Sequence, residues 1–138
     1  MEHITQLRSE NSQKLAELNR QLIEDEGHRN PMSISELARR MKSWLSTEYF
    51  CYGVVEGKEI LAYCLYREEN DYFYIRQLFT LRHLRRKGLA TKLLNYLEPG
   101  VLSGKPIRIE VLVNNDGAKA FYLSRGFKMY CYTLEKNA

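Results

Sequence analysis

With 138 residues, 44% of them hydrophobic and 28% charged, the chain has the length and composition of one ordinary globular domain, which excludes dominant disorder. No apolar run approaches the roughly 20 residues that a membrane helix needs, and the opening MEHITQLRSENSQK has no apolar signal core, so a cytoplasmic protein is expected. The formal net charge of +4 leaves three anionic partners to weigh: nucleic acid, a membrane surface or an anionic small molecule.

In chain order, a short strand is expected around Ile4 to Leu7. A helix follows on Leu15, Leu18, Leu22 and Ile23, with Ser9, Asn11 or Ser12 as cap and an end near Glu26-Gly27. Residues 28–31 read as a loop. Ser33 and Glu36 make a capping box, Met32 and Leu37 a hydrophobic staple, and Ile34, Leu37, Met41 and Trp44 the apolar stripe of a second helix. Residues 50–55 and 60–66 form a hairpin about Glu56-Gly57-Lys58, and residues 72–80 a third long strand. A basic loop, 81–87, leads to a helix that Gly88 opens and Pro99-Gly100 ends. Ile107, Ile109, Val111 and Val113 alternate as a strand, residues 118–124 form a short helix, and residues 129–134 a last strand. Helices, a hairpin, then alternating strands and helices make an α/β domain with a mixed central sheet flanked by helices.

Cys51, Cys64 and Cys131 are odd in number and contain no CxxC pair, so neither a disulfide framework nor a zinc site is expected. All three sit in strand-like runs and are read as buried thiols. No metal is expected.

The sharpest feature is Arg85-Arg86-Lys87-Gly88-Leu89-Ala90, between a strand and a helix. Such a turn presents free backbone N–H groups at the positive end of the helix dipole, which suits a phosphate. Gly88 and Ala90 lack bulk, and the arginines add charge-assisted contacts. Six basic residues and no acidic one lie between Arg76 and Lys92, whereas residues 1–30 carry four basic and six acidic ones. The excess positive charge is local, which favours a phosphate grip over a polymer-binding face, so neither nucleic acid nor membrane is expected as a partner. GVLSGK at residues 100–105 is one residue short of a Walker A loop and is followed by Pro106, so it is rejected.

Arg85-x-x-Gly88-x-Ala90 after a strand resembles the signature of the GCN5-related N-acetyltransferase (GNAT) family. Asn115-x-x-Ala118-x-x-Phe121-Tyr122-x-x-x-Gly126-Phe127 is similar to the family's second signature. The resemblance implies a single N-acetyltransferase domain over residues 1–138, with the cofactor-binding core at about 50–134. It implies acetyl-CoA as co-substrate, and direct transfer of an acetyl group to a primary amine of a small molecule or peptide. Leu78, Phe79 and Thr80 would pair with the pantetheine arm through their backbone. The backbone of Arg85, Arg86, Lys87, Gly88, Leu89, Ala90 and Thr91 would hold the pyrophosphate, Asn115 would touch the cofactor, and Tyr122 would lie beside its sulfur. A homodimer is compatible with the family. A non-catalytic acyl-CoA sensor of the same fold is the alternative reading, and a basic nucleic-acid-binding module a lesser one.

Acetyl transfer needs a neutral amine, a donor for the carbonyl oxygen and a proton for the departing thiolate. Tyr122 is placed to supply that proton. Some family members carry a glutamate where Tyr74 stands. The candidates for base or acceptor contact are therefore Tyr74, Glu110, and the cluster Glu24, Asp25, Glu26 and His28, with a water relay equally open. Carboxylates after the first helix would favour a cationic amine.

Overall fold

In the computed structural model, which describes residues 1–27 and 29–138, the described residues form five strands and four α-helices. They run β1 (His3–Leu7), α1 (Ser12–Asp25), α2 (Ile34–Ser46), β2 (Tyr49–Glu56), β3 (Glu59–Glu68), β4 (Phe73–Thr80), α3 (Leu89–Leu97), β5 (Ile107–Ile109) and α4 (Asp116–Ser124). The sheet order is β1-β2-β3-β4-β5, with antiparallel pairs throughout except for the parallel β4–β5 pair. This is the mixed α/β sheet expected.

Local chemistry explains the helix starts. The Ser33 side chain accepts from the Glu36 N–H while the Glu36 carboxylate accepts from the Ser33 N–H, the reciprocal box that begins α2. Met32 packs with buried Leu37, as a staple should. At α3, Gly88 takes a left-handed conformation (φ +78°), which glycine adopts without a Cβ penalty. Asn115 caps α4 by accepting from the Ala118 N–H at 3.1 Å.

The helices lie on both faces of the sheet. Tyr96 of α3 meets Tyr52 of β2, with ring centroids 6.3 Å apart. On the other face Asn19 of α1 accepts from Gln77 of β4, and Trp44 of α2 lies 5.2 Å from the Tyr49 ring. Leu93, Leu94 and Leu97 are fully buried against β2, β3 and β4, gaining roughly 1.5–3 kcal/mol each.

Three expectations are corrected. The strand read through Val111 and Val113 stops at Ile109; past that residue the chain leaves β4, so Val111 is only partly buried and Val113 is 96% exposed. Residues 129–134 form no strand. Tyr130, Tyr132 and Leu134 are exposed, and β5, with three residues, offers little edge on which β propensity can act. Tyr130 is tied instead to Arg108, whose guanidinium lies 3.9 Å from the Tyr72 ring and 4.4 Å from the Tyr130 ring. Cys131 lies in that segment and is exposed, whereas Cys51 and Cys64 are buried as expected.

Candidate active site

The site starts from a parting of strands. β5 pairs with β4 only from Phe73 to Ile75, so the β5-facing edge of Arg76, Gln77, Leu78, Phe79 and Thr80 has no ladder partner there among the described residues. On its other edge β4 stays paired to β3 up to Thr80. The result is an open cleft floored by one strand edge with backbone groups to spare.

At the end of that edge stands the basic turn. Arg86 has a positive φ of 66°, rare for a residue with a side chain, and the left-handed Gly88 follows after Lys87. The first hydrogen bond of α3 runs from the Lys92 N–H to the Gly88 carbonyl, which leaves the N–H groups of Leu89, Ala90 and Thr91 outside the helix ladder. Arg86 and Lys87 are exposed and have no carboxylate partner among the described residues. A free strand edge leading into an N–H-rich, basic helix start fits an extended molecule ending in a phosphate.

The family model for the Acetyltransferase (GNAT) family matches residues 14–127. The chain belongs to the GNAT acetyltransferase family. No curated protein matches it. Among solved structures it is similar to a possible acetyltransferase from Clostridium difficile 630 (20% identity, TM-score 0.81, covering 100% of this chain and 97% of that one). It is also similar to the aminoglycoside N-acetyltransferase AAC(6')-Iy in complex with CoA (13%, 0.79, 100% and 95%). A third is a predicted acetyltransferase with acetyl-CoA from Clostridium acetobutylicum (18%, 0.75, 99% and 96%).

In this GNAT domain, Arg85 is spent on structure. It donates to the Asp25 carboxylate at 2.5 Å and to the Thr80 carbonyl at 3.2 Å, and lies 5.2 Å from the Phe79 ring. Arg82 holds the other Asp25 oxygen at 2.9 Å. Asp25 therefore clamps α1 to the basic turn. Partial burial acts to raise its pKa, but the hydrogen bonds from Arg85 and Arg82 outweigh that and hold the carboxyl below its ordinary value. Glu24 and Glu26 flank it and form no ion pair among the described residues. Partial burial and the neighbouring Asp25 charge raise the Glu26 carboxyl. His28 lies outside the described residues.

Two of the base candidates meet. The Tyr74 hydroxyl donates to Glu110 at 2.6 Å, joining β4 to the segment just past β5. Burial, then the Glu110 contact, push the Tyr74 phenol up to about 12, so it stays protonated. Tyr122 is buried among Phe121 and Phe127, at centroid distances of 5.2 and 5.4 Å. Burial and the nearby Cys64 raise its phenol above the ordinary tyrosine range. Cys64 sits opposite Leu78 and Tyr52, on the α3 face of the sheet. Asn115 uses its side-chain oxygen to cap α4, and its side-chain nitrogen donates to no group among the described residues.

The sequence reading missed a cluster on the α2 face. Leu65 pairs with Gln77 but Tyr66 with Ile75, so Arg76 is the extra residue of a β-bulge. The bulge lets Tyr74, Arg76 and Gln77 all address the helices α1 and α2. Arg76 lies 4.6 Å from the Trp44 ring and Arg40 of α2 lies 4.3 Å from it. Arg67 donates to the Tyr49 hydroxyl at 2.6 Å, Arg76 to the same oxygen at 3.4 Å, and Arg67 also stacks 4.7 Å from the Tyr74 ring. Beside them Tyr63 donates to Gln77 at 2.7 Å, and Gln77 to Asn19 at 3.2 Å, all buried. These residues come from five elements with no motif spacing. A bulge is invisible to alternation, so no sequence signal groups them.

Proposed function

We propose that this GNAT domain is an acetyl-CoA-dependent N-acetyltransferase acting on a primary amine, and that residues 1–138 work as one catalytic unit. The reading is carried by one observation, the unpaired edge of β4 running into the basic turn and the start of α3. Acetyl-CoA fits that arrangement, and when bound it supplies the thioester carbonyl and a thiolate leaving group. The backbone of Leu78, Phe79 and Thr80 holds the pantetheine arm, and Phe79 or Thr80 offers an N–H to the carbonyl oxygen. Arg86, Lys87, Gly88, Leu89, Ala90 and Thr91 hold the pyrophosphate, with Arg85 bracing the turn, and the free amide nitrogen of Asn115 is available to the cofactor.

Glu110, oriented by the Tyr74 hydroxyl, accepts the amine proton directly or through water. Tyr122, kept neutral by burial, donates a proton to the departing sulfur. Holding both substrates in one geometry supplies most of the acceleration.

The test has two parts. Acetyl-CoA should raise the melting temperature, and Arg85→Ala with Arg86→Ala should weaken that shift. A panel of amines should then release free thiol from acetyl-CoA. No shift at millimolar acetyl-CoA sinks the cofactor assignment, and a shift with no amine turned over leaves a sensor rather than an enzyme.

A further inference from the structure

The α2 face of the cleft is not built for a plain cation. Arg40, Arg67 and Arg76 converge on the aromatic platform of Trp44, Tyr49 and Tyr74. Arg67 is partnered by Glu69 at 2.5 Å, and Glu110 is engaged by Tyr74. Arg40 and Arg76 have no carboxylate within 4.0 Å among the described residues. Two guanidiniums within reach of one indole are a like-charge pair, and a guanidinium donor wants an anionic acceptor. The Nε of Arg40 is buried and has no acceptor among the described residues, an uncommon state for a buried donor. Desolvation and the Arg76 charge both depress the Arg40 pKa, which is the signature of a cation lacking its counter-ion. Arg76 also sits where β5 leaves β4, one residue beyond the last β4–β5 pair. Charge at this spot borders the cleft itself.

We propose that the acceptor amine also carries an anionic oxygen group, a carboxylate or phosphate, which Arg40 and Arg76 bind beside Trp44. The proposal rests on the acetyltransferase reading above and names its substrate class. The amine of such a molecule faces Tyr74 and Glu110, while the anion fills the pair of guanidiniums. A polycation such as an aminoglycoside would be repelled by the same residues, despite the structural likeness to AAC(6')-Iy.

The first measurement does not need turnover. Trp44 is the sole tryptophan, so its fluorescence reports on the cluster. With acetyl-CoA already saturating, sodium phosphate should change that fluorescence in a saturable way that sodium chloride at equal ionic strength does not reproduce. Arg76→Gln, at an exposed position, should abolish the change, Arg76→Lys should restore part of it, and the acetyl-CoA melting shift should survive in both. No phosphate response, or one that acetyl-CoA alone eliminates, overturns the proposal, the latter because the arginines then serve the cofactor. The second measurement compares thiol release with matched amines: lysine against cadaverine, phosphoethanolamine against ethanolamine, and sisomicin as polycation. The anionic member of a pair should lead in kcat/KM by about tenfold or more, a lead that Arg76→Gln erases. Preference for the cationic members also overturns it. Absence of any acetyl-CoA shift would instead remove the acetyltransferase reading, leaving the phosphate response to be judged separately.

Discussion

At Tyr122 the ring and the hydroxyl do different jobs. The ring fills a pocket against Phe121 and Phe127, and the hydroxyl has no protein partner among the hydrogen bonds of the described residues. Tyr122→Phe keeps the packing and deletes only the hydroxyl, the group proposed to protonate the leaving thiolate. It should therefore cost on the order of 10²-fold in kcat while leaving the acetyl-CoA melting shift intact. An unchanged kcat would take Tyr122 out of the chemistry. The Tyr122 position was legible because it belongs to a spaced motif on one helix. Tyr74 and Glu110 were each singled out in the sequence, but their 2.6 Å contact was not, because they are 36 residues apart. Arg76 was counted in the basic run and credited to the phosphate turn, although its side chain lies on Trp44.

Among the elements, those whose ends carry their own chemistry were read well. The capping box of α2 and the left-handed Gly88 before α3 act within four residues, so no tertiary information is needed. Strands depend on a neighbour. Residues 129–134 have the aromatic and branched composition of a strand and still have no ladder bond among the described residues, because composition does not supply a partner edge. β2 shows the opposite case, in which a strand is held close on both sides. A Cβ on Gly53 would stand 2.6 Å from Leu7 Cδ1 and 3.1 Å from the Ala62 carbonyl. Gly53→Ala should destabilise the domain by about 1–3 kcal/mol, read as a lower midpoint in urea with an unchanged slope. A neutral outcome would mean that β1 shifts to make room.

Across the whole molecule, Asp25 links the first helix to the basic turn, 57 and 60 residues away at Arg82 and Arg85. Its folded pKa is lowered from 3.8, so its contribution is fully present above that value and is lost as pH falls through the lowered folded one. At pH 7, Asp25→Asn should lower stability by about 1 kcal/mol, roughly 3 °C in Tm. The gap to the unsubstituted protein should close as pH falls below 3.8. A gap that persists well below that range would show the loss to be steric rather than electrostatic. This clamp also changes the meaning of the acidic stretch after α1. In the sequence it suggests a cationic acceptor, but folded, its central carboxylate is consumed by the basic turn, and the face beside the cleft is lined by arginines. The sequence by itself determined the α/β class, the helix ends and the basic turn before α3, since each follows from residues within a few positions of one another. Only the tertiary structure decided where β5 parts from β4, which arginines have no counter-ion among the described residues, and which tyrosine meets which carboxylate. Those outcomes depend on strand register, a bulge at Arg76 and long-range charge pairing, which no local pattern encodes.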